Sequence, residues 1–329
     1  MTGRSRTVGV VLMAALAIVA AAAPIVAPND PRVQHADLAY APPMRPHVLT
    51  EDGSLRRPFV YPLVVAGDRL ERRFADDRSR PAPIQFFAGG RLASTPATAP
   101  WFMLGADPLG RDVFSRLAHG ARLSLTVAAT ATLIAILLGA LGGAVAGYAG
   151  GFVDRMIMGV ADFVVILPAA YVVVTLRAAM PLRLSSFTVF WTIVLVLAAA
   201  SWPLPARGVR AIIAAERSQA YAEAAYSAGA GPLRILLRHL LPAASGHLAT
   251  QAFLLFPAFI LAEATLSYLG LGFAEPTASW GVMLRDAGNV SDIAEAPWIL
   301  SPAAAIVIAV LATHLATADR GTDSAAIRF

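Results

Sequence analysis

The sequence contains no cysteine and no lysine. Without cysteine, the chain can form neither disulfides nor thiolate metal sites. Without lysine, it cannot form a Walker A loop, in which a lysine contacts the β- and γ-phosphates of ATP. Charged residues make up only 14% of the 329 residues, compared with about 25% in soluble globular proteins. This shortage of charge, together with 57% hydrophobic residues and a positive mean hydropathy, predicts a membrane protein.

Six apolar segments are long enough to cross a bilayer as helices, which takes about 20 residues each. They run over residues 8–27, 123–148, 156–176, 185–206, 248–271 and 297–317. We therefore expect an all-α polytopic membrane protein with six transmembrane helices, the fourth of which ends at the break formed by Trp202, Pro203, Leu204 and Pro205. The first segment follows two arginines and could instead be a cleaved signal peptide. Its length of about 20 residues favours an uncleaved anchor, because the apolar part of a signal peptide has 7–15.

The arginines predict the orientation of these helices, because short cytoplasmic loops are enriched in basic residues. If the amino terminus is cytoplasmic, three arginines fall in short outer loops, namely Arg177, Arg183 and Arg285. Ten fall inside, namely Arg4, Arg6, Arg155, Arg207, Arg210, Arg217, Arg234, Arg238, Arg320 and Arg328. We expect both termini to be cytoplasmic.

Residues 29–117, called the insertion below, are rich in proline and carry twelve arginines and ten acidic residues. This balance is not that of a polybasic patch for nucleic acid or lipid. Residues 59–61 and 63–65 could form short strands, which Pro62 would restrict to an edge. The expected organisation is an anchor helix at 1–28, this extracytoplasmic insertion, a five-helix core at 118–318 with a cytoplasmic loop at 207–246, and a cytoplasmic tail at 319–329.

The second apolar segment is dense in glycine. Gly139, Gly143 and Gly147 lie four residues apart, a spacing that lets two membrane helices approach closely. The pattern predicts tight helix packing, but it does not identify a transporter.

The cytoplasmic loop reads as two short helices. The first would run over residues 214–228 and stop at Gly229, a usual position for glycine after a helix. The second would begin near Pro232 and end at Pro242. It carries an apolar stripe with helical spacing, formed by Leu233, Leu236, Leu237, Leu240 and Leu241.

One face of the first loop helix consists of alanines, with Tyr221 beside it. They are Ala220, Ala224, Ala225 and Ala228. A face of small residues can sit deep in a groove of another protein, and Glu223 beside it can pair with a basic group there. On pattern alone, an amphipathic loop resting on lipid headgroups is an equally good interpretation.

The order of Glu223, Ala224, Ala225, Gly229, Leu241 and Pro242 resembles the EAA loop of binding-protein-dependent ABC importers. The sequence Arg-His-x-Leu-Pro at 238–242 is similar to the dipeptide/oligopeptide branch of that family. Further stretches at 104–122, 150–162 and 262–281 resemble the same branch in the same order. The sequence departs from the pattern of this family at Ala106, Pro108 and Ala243, and in the tail.

The resemblance implies a permease subunit that translocates peptides or a related solute across the cytoplasmic membrane. It implies that the EAA loop contacts the ATPase, that ATP is bound by partner subunits rather than as a cofactor here, and that the chain is not an enzyme. The implied partners are two cytoplasmic ABC ATPases, a second homologous permease and an extracytoplasmic solute-binding protein, in a lipid bilayer and without nucleic acid. An ion-coupled secondary transporter and a membrane-anchored receptor are the alternatives.

Two acidic residues lie within predicted membrane segments, where a charge near the centre costs about 2.5–3.5 kcal/mol. Glu263 is well inside the fifth segment and would either line a cavity or bond to a neighbouring helix, the second being favoured. Asp162 follows Arg155 by about two turns and is expected near the membrane surface.

Overall fold

The structure is a computed structural model, and it describes residues 2–50, 54–66, 73–167, 175 and 185–317. The described residues are mostly helical, which agrees with a polytopic membrane protein. By their contacts they form two compact units, Met1–Leu125 with Ala264–Phe329, and Thr126–Glu263. This division is based on contacts within the chain, whereas the predicted division is based on membrane topology. The contacts therefore do not test the predicted division.

The described residues form a series of α-helices. They are α1 (Thr2–Ala21), α2 (Ala23–Val26), α3 (Val113–Ala149), α4 (Gly151–Ile166), α5 (Ser186–Ser201), α6 (Pro203–Glu216), α7 (Ala220–Ser227), α8 (Pro232–Ile235), α9 (Ser245–Tyr268), α10 (Trp280–Leu284), α11 (Val290–Glu295) and α12 (Ser301–Thr317). A π-helical turn, Leu236–Leu240, and a 3₁₀ turn, Leu241–Ala244, connect α8 to α9.

Within the described residues, three helical stretches are long and apolar enough to cross a membrane: Val113–Ala149, Pro232–Tyr268 and Pro297–Thr317. Helices α5 and α6 together would make a fourth, bent by 41°. The predicted break at 202–205 is present as this bend, but the chain continues beyond it as a helix. Pro203 and Pro205 lie in the first turn of α6, where a missing N–H costs no helical hydrogen bond, so the chain bends and continues as a helix.

Several predictions fall outside the described residues. The third apolar segment is described as helix α4 up to Ile166, and most of its remainder, 168–176, is not described. The arginines at 177, 183, 320 and 328 and the tail at 319–329 also lie outside.

Helices α1 and α12 pack against each other in antiparallel directions. A Cβ atom on Gly9 would lie 2.8 Å from the carbonyl oxygen of Ala312, so only glycine allows this approach. One turn further along α1, the sulfur of Met13 accepts a hydrogen bond of 3.4 Å from Thr313 Oγ1. The start of α1 and the end of α12 therefore lie at the same end of this helix pair.

The insertion contains short antiparallel strands. They are β1 (His47–Leu49), β2 (Leu55–Val60), β3 (Leu63–Val65), β4 (Phe74–Asp76), β5 (Ala82–Pro83), β6 (Gln85–Phe86) and β7 (Ala93–Ser94). They form sheets in the orders β1-β2-β5, β3-β4 and β6-β7. The all-α prediction thus does not extend to the insertion, where both predicted strands are present. The predicted edge position is wrong for β2, which pairs on both sides because Pro62 lies between the strands rather than in the ladder.

Candidate functional site

The cytoplasmic loop begins on helix α6, which packs closely on the glycine face of α3. A Cβ atom on Gly143 would lie 2.8 Å from Val209 Cβ and 3.0 Å from the backbone nitrogen of Arg210. One on Gly147 would lie 2.9 Å from Ile213 Cβ. Each distance is below what a side chain tolerates, so glycine is required for the two backbones to meet. The predicted tight packing is confirmed, and its partner is α6.

Arginines on α6, and one just after it, bind residues of helix α4 and the end of helix α3. Arg207 Nη2 lies 2.7 Å from a carboxylate oxygen of Asp162, and Arg210 donates to both carboxylate oxygens of Asp154, through Nε at 2.9 Å and through Nη2. The Arg217 guanidinium donates to the carbonyl oxygen of Tyr148 at the end of α3. Helix α6 is therefore attached to α4 by ion pairs and to α3 by glycine contacts.

Helix α7 carries the predicted Glu-Ala-Ala sequence. Ala222 is buried against Ile213 and Leu240, and Ala225 is half-buried, whereas Glu223 and Ala224 are exposed. The predicted helix 214–228 is in fact two helices, because the chain leaves helical hydrogen bonding between Glu216 and Ala220. The predicted alanine face also differs, since Ala225 turns partly inward.

The exposed side of α7 is a small-residue surface with one carboxylate. It comprises Ala220, Glu223, Ala224, Ser227 and Ala228, with the large rings of Tyr221 and Tyr226 beside it. We call this set the α7 face. Among the described residues, Glu223 has no ion-pair or hydrogen-bond partner, whereas Tyr221 donates a hydrogen bond of 2.7 Å to Glu216. Burial of the phenol and this bond raise the pKa of Tyr221 to about 12, so the hydroxyl stays protonated.

Gly229 ends α7 as predicted. Its φ of +80° is a left-handed conformation that residues with a side chain rarely adopt. The backbone nitrogen of Gly229 donates to Tyr226 O at 2.9 Å, and that of Ala230 donates to Ala225 O at 3.1 Å. This pair of bonds is the Schellman arrangement, which satisfies the last carbonyls of a helix and reverses the chain.

The predicted leucine stripe of the second loop helix is partly wrong. Leu240 is buried, and Leu236 and Leu241 are half-buried, but Leu233 and Leu237 are exposed. Ile235, which was not part of the stripe, is buried instead. The π-helical turn at 236–240 is the reason, because its wider turn shifts the buried face away from 3.6-residue spacing.

Leu241 and Pro242 do not end the loop helix. Pro242 is exposed within the 3₁₀ turn, and the helix resumes at Ser245, so Pro232–Tyr268 forms one long helical stretch. A proline at the start of such a turn loses no helical hydrogen bond. The loop therefore connects directly to membrane helix α9.

A cleft of about 540 Å³ opens beside α7. Tyr148, Arg217, Ala222, Glu223 and Tyr226 line it, so it joins the end of α3 to the α7 face. Within the described residues, no group of three or more histidine, cysteine, aspartate or glutamate side chains is placed to bind a metal ion.

The two acidic residues predicted inside the membrane have different environments. Glu263 is fully buried within α9. Asp162 is exposed and pairs with Arg207, a partner that the sequence did not indicate.

A cluster of buried charges that the sequence analysis missed lies at the start of α3. Arg111 is 2% exposed; its Nε lies 2.6 Å from Asp107 Oδ2, and its Nη1 and Nη2 donate to the two oxygens of Glu275. Fully buried Arg116 also donates to Glu275, at 2.9 Å, and Asp286 lies 3.9 Å from Arg111. We call these five residues the outer ion cluster.

Two carboxyl groups of the outer ion cluster, Asp286 and Glu275, have opposite pKa shifts. Burial, together with the charges of Asp107 and Glu275, raises the pKa of Asp286 to about 6 despite the nearby arginines. For Glu275, burial acts in the same direction, but hydrogen bonds and charge from Arg111 and Arg116 outweigh it and lower the pKa. Asp286 is thus the carboxyl group of this pair whose ionised form is disfavoured.

Comparison with known proteins matches residues 135–318 to the family described as binding-protein-dependent transport system inner membrane component. A candidate peptide permease of Brucella ovis is 37% identical over 224 residues, covering 68% of this chain and 72% of that protein. The di/tripeptide transport system permease protein DppC of Pseudomonas aeruginosa is 36% identical over 215 residues, covering 65% and 68% respectively.

The family match includes the whole described loop from α6 to α9, and the family is one of transport components rather than of enzymes. The matches agree with the resemblance found in the loop sequence. The chain belongs to the family of inner membrane components of binding-protein-dependent transport systems, as a permease subunit.

Proposed function

We propose that this chain is the membrane gate of an ATP-driven peptide importer in the cytoplasmic membrane, and that its α7 face docks on a cytoplasmic ATPase subunit. The observation that carries the proposal is the α7 face itself. Its small side chains are exposed to solvent, as is Glu223, which has no partner among the described residues. On the other side of α7, Ala222 is buried in a cluster that includes Ile213 and Leu240. Peptides are proposed as the solute because relatives are named as peptide permeases.

The contacts around α7 support a route for the transmitted motion. Helix α7 follows α6 after a break of three residues, and α6 meets the backbone of α3 at Gly143 and Gly147. A displacement of α7 would therefore move α6 and the end of α3 together, because tightly packed helices shift as rigid bodies. The long stretch Pro232–Tyr268 offers a second connection, into α9.

The ATPase, a second permease and an extracytoplasmic solute-binding protein are proposed as partners. The chain has no lysine for a Walker A loop, so ATP binding is assigned to partner subunits and no cofactor to this chain. Six transmembrane helices with cytoplasmic termini are proposed on the antiparallel packing of α1 with α12 and on the arginine distribution. No observation on the described residues favours ion-coupled transport.

Uptake of labelled peptide by proteoliposomes, with the purified ATPases and binding protein, tests the function. Glu223→Lys and Gly229→Val should each reduce ATP-dependent uptake at least about tenfold, because one reverses the charge of the α7 face and the other forces a branched side chain into φ +80°. Gly231→Ala is the matched control, since Gly231 has an ordinary φ of −69° and open space around it. Wild-type uptake by both loop variants would contradict the proposal.

A further inference from the structure

The insertion contains a pocket that the function above does not use. Its volume is about 430 Å³, within the range of about 300–1,000 Å³ that is usual for small-molecule sites. Residues 42–45, His47, Tyr61, Leu63 and strand β4 line it. It lies outside residues 135–318, the part of the chain that matches the family.

One wall of the pocket leads into a group of packed rings. The ring centroids of His47 and Tyr61 are 5.2 Å apart, and those of Tyr61 and Phe59 are 5.1 Å apart. Phe59 and Tyr61 are 3% and 9% exposed, so the wall is held in place by the insertion's own core. Such a wall suits a ligand with an apolar or aromatic side chain.

His47 lines the pocket and is half-buried. Its Nδ1 atom is buried, and no other described residue is placed to hydrogen-bond it. A buried polar atom without a partner costs about 1–3 kcal/mol, and it calls for an explanation in the structure. Because this atom is buried, a ligand in the pocket would meet other atoms of the His47 ring, and His47 serves as part of the wall.

Two opposite charges complete the pocket. Arg45 and Asp76 both line it, both are exposed, and neither forms an ion pair with another described residue. A guanidinium binds carboxylates well, and a carboxylate accepts hydrogen bonds from an ammonium group.

We propose that this pocket binds a small zwitterion with an apolar side chain, that is, a short peptide or an amino acid. Arg45 binds its carboxylate, Asp76 its ammonium group, and the wall of His47 and Tyr61 its side chain. The inference rests on the pocket alone and does not depend on coupling to an ATPase. It places a solute-binding site on the permease subunit itself.

Calorimetric titration of the purified full chain with the dipeptide Ala-Phe, without partner proteins, tests this. We expect saturable binding that weakens at least about tenfold when the peptide is N-acetylated or C-amidated, because each change removes one charge. Arg45→Ala and Asp76→Ala should weaken binding by a similar factor. Arg80→Ala, which changes an exposed arginine of the insertion outside the pocket, should leave it unchanged.

The blocked peptides keep the test decisive even if a pocket variant folds poorly, because they use the unchanged chain. Absence of binding, or equal binding of free and blocked peptides, would overturn the proposal. Binding that is equally strong in the Arg45→Ala, Asp76→Ala and unchanged chains would place the peptide elsewhere on the protein and would also overturn it.

Discussion

The two ends of helix α3 are held by different interactions. Before its start, Arg111 lies in the outer ion cluster with almost no solvent access. At its end, contact with α6 depends on the absence of side chains at Gly143 and Gly147, and the accompanying Arg210–Asp154 pair is partly exposed to water. Buried charges are costly to separate from their partners, whereas exposed pairs contribute little. We therefore expect the buried charges to hold the start of α3 rigidly. We expect the end of α3 to be held mainly by backbone contact with α6, with little contribution from charge.

The largest effect is expected for Arg111→Met. The substitution leaves Asp107 and Glu275 close together without one of their two cations, and breaking a buried ion pair in this way costs about 3–5 kcal/mol. Thermal unfolding of the purified chain in detergent should show the loss as a lower Tm. The control is Arg285→Met at an exposed arginine beside Asp286. Equal Tm values for the two variants would show that the outer ion cluster does not hold the start of α3.

The next effect is expected for Gly143→Leu. Any side chain at this position overlaps Val209 and the backbone of Arg210, and such overpacking costs about 1–3 kcal/mol. Unfolding in detergent and the gel-filtration profile should both report it.

Gly159→Leu is the matched control for Gly143→Leu, because nothing lies within 4 Å of a Cβ atom at that glycine of α4. A Gly143→Leu protein as stable as the control would contradict the close contact of α3 with α6.

A smaller effect, of opposite sign, is expected for Asp286→Asn. The pKa of Asp286 is raised from 3.8 to about 6, so its ionised form disfavours the folded chain above pH 6, and stability recovers as pH falls from 7 towards 4. The asparagine variant should raise the free energy of unfolding at pH 7.5 by on the order of 1 kcal/mol. The variant should also show a smaller gain in the free energy of unfolding when the pH falls from 7.5 to 5.

Unfolding curves from pH 4 to pH 8 check this prediction. Burial also raises the pKa of Asp112 to about 6. Part of the gain in stability at low pH should therefore remain in the asparagine variant. The lowered pKa of Glu275 acts in the opposite way, because its stabilisation is lost only when pH falls below its ordinary value of 4.5. A variant with the same pH dependence as the unchanged chain would show that Asp286 is not strained by burial.

The smallest effect is expected for Arg210→Met. Arg210 is partly exposed and its partner Asp154 is only half-buried, so the Tm should fall by only about 1 °C, and the change should shrink further in high salt. A fall as large as that of Arg111→Met would remove the difference between the two ends of α3.

Much of the helical fold could be predicted from the sequence because long apolar runs leave few alternatives in a membrane. The 3.6-residue spacing failed most clearly where the backbone departs from an α-helix. At 236–240 the π turn brings Ile235 inward and leaves Leu237 outside, and no residue type marks such a turn. The bend at Trp202 was located correctly, but prolines at the first turn of a helix and prolines at its end look alike in sequence.

The two ends of α3 also differ in how far the sequence could predict them. Gly139, Gly143 and Gly147 form a local pattern, and the loop around Glu223 and Gly229 resembles a family motif. The outer ion cluster has no local pattern, because Arg111 and Glu275 are 164 positions apart. The block at 104–122 resembles the family, but nothing in it indicates Glu275 and Asp286, the acidic partners that follow α9.

The central claim is that the α7 face docks on the ATPase, and cysteine labelling tests it directly because the chain has no cysteine of its own. Ala224→Cys, on the exposed face, should react with a maleimide in the purified chain and become protected when the ATPases bind. Ala222→Cys, at a position that is 5% exposed, should react poorly in both states. Equal labelling of Ala224→Cys with and without bound ATPases would contradict the claim.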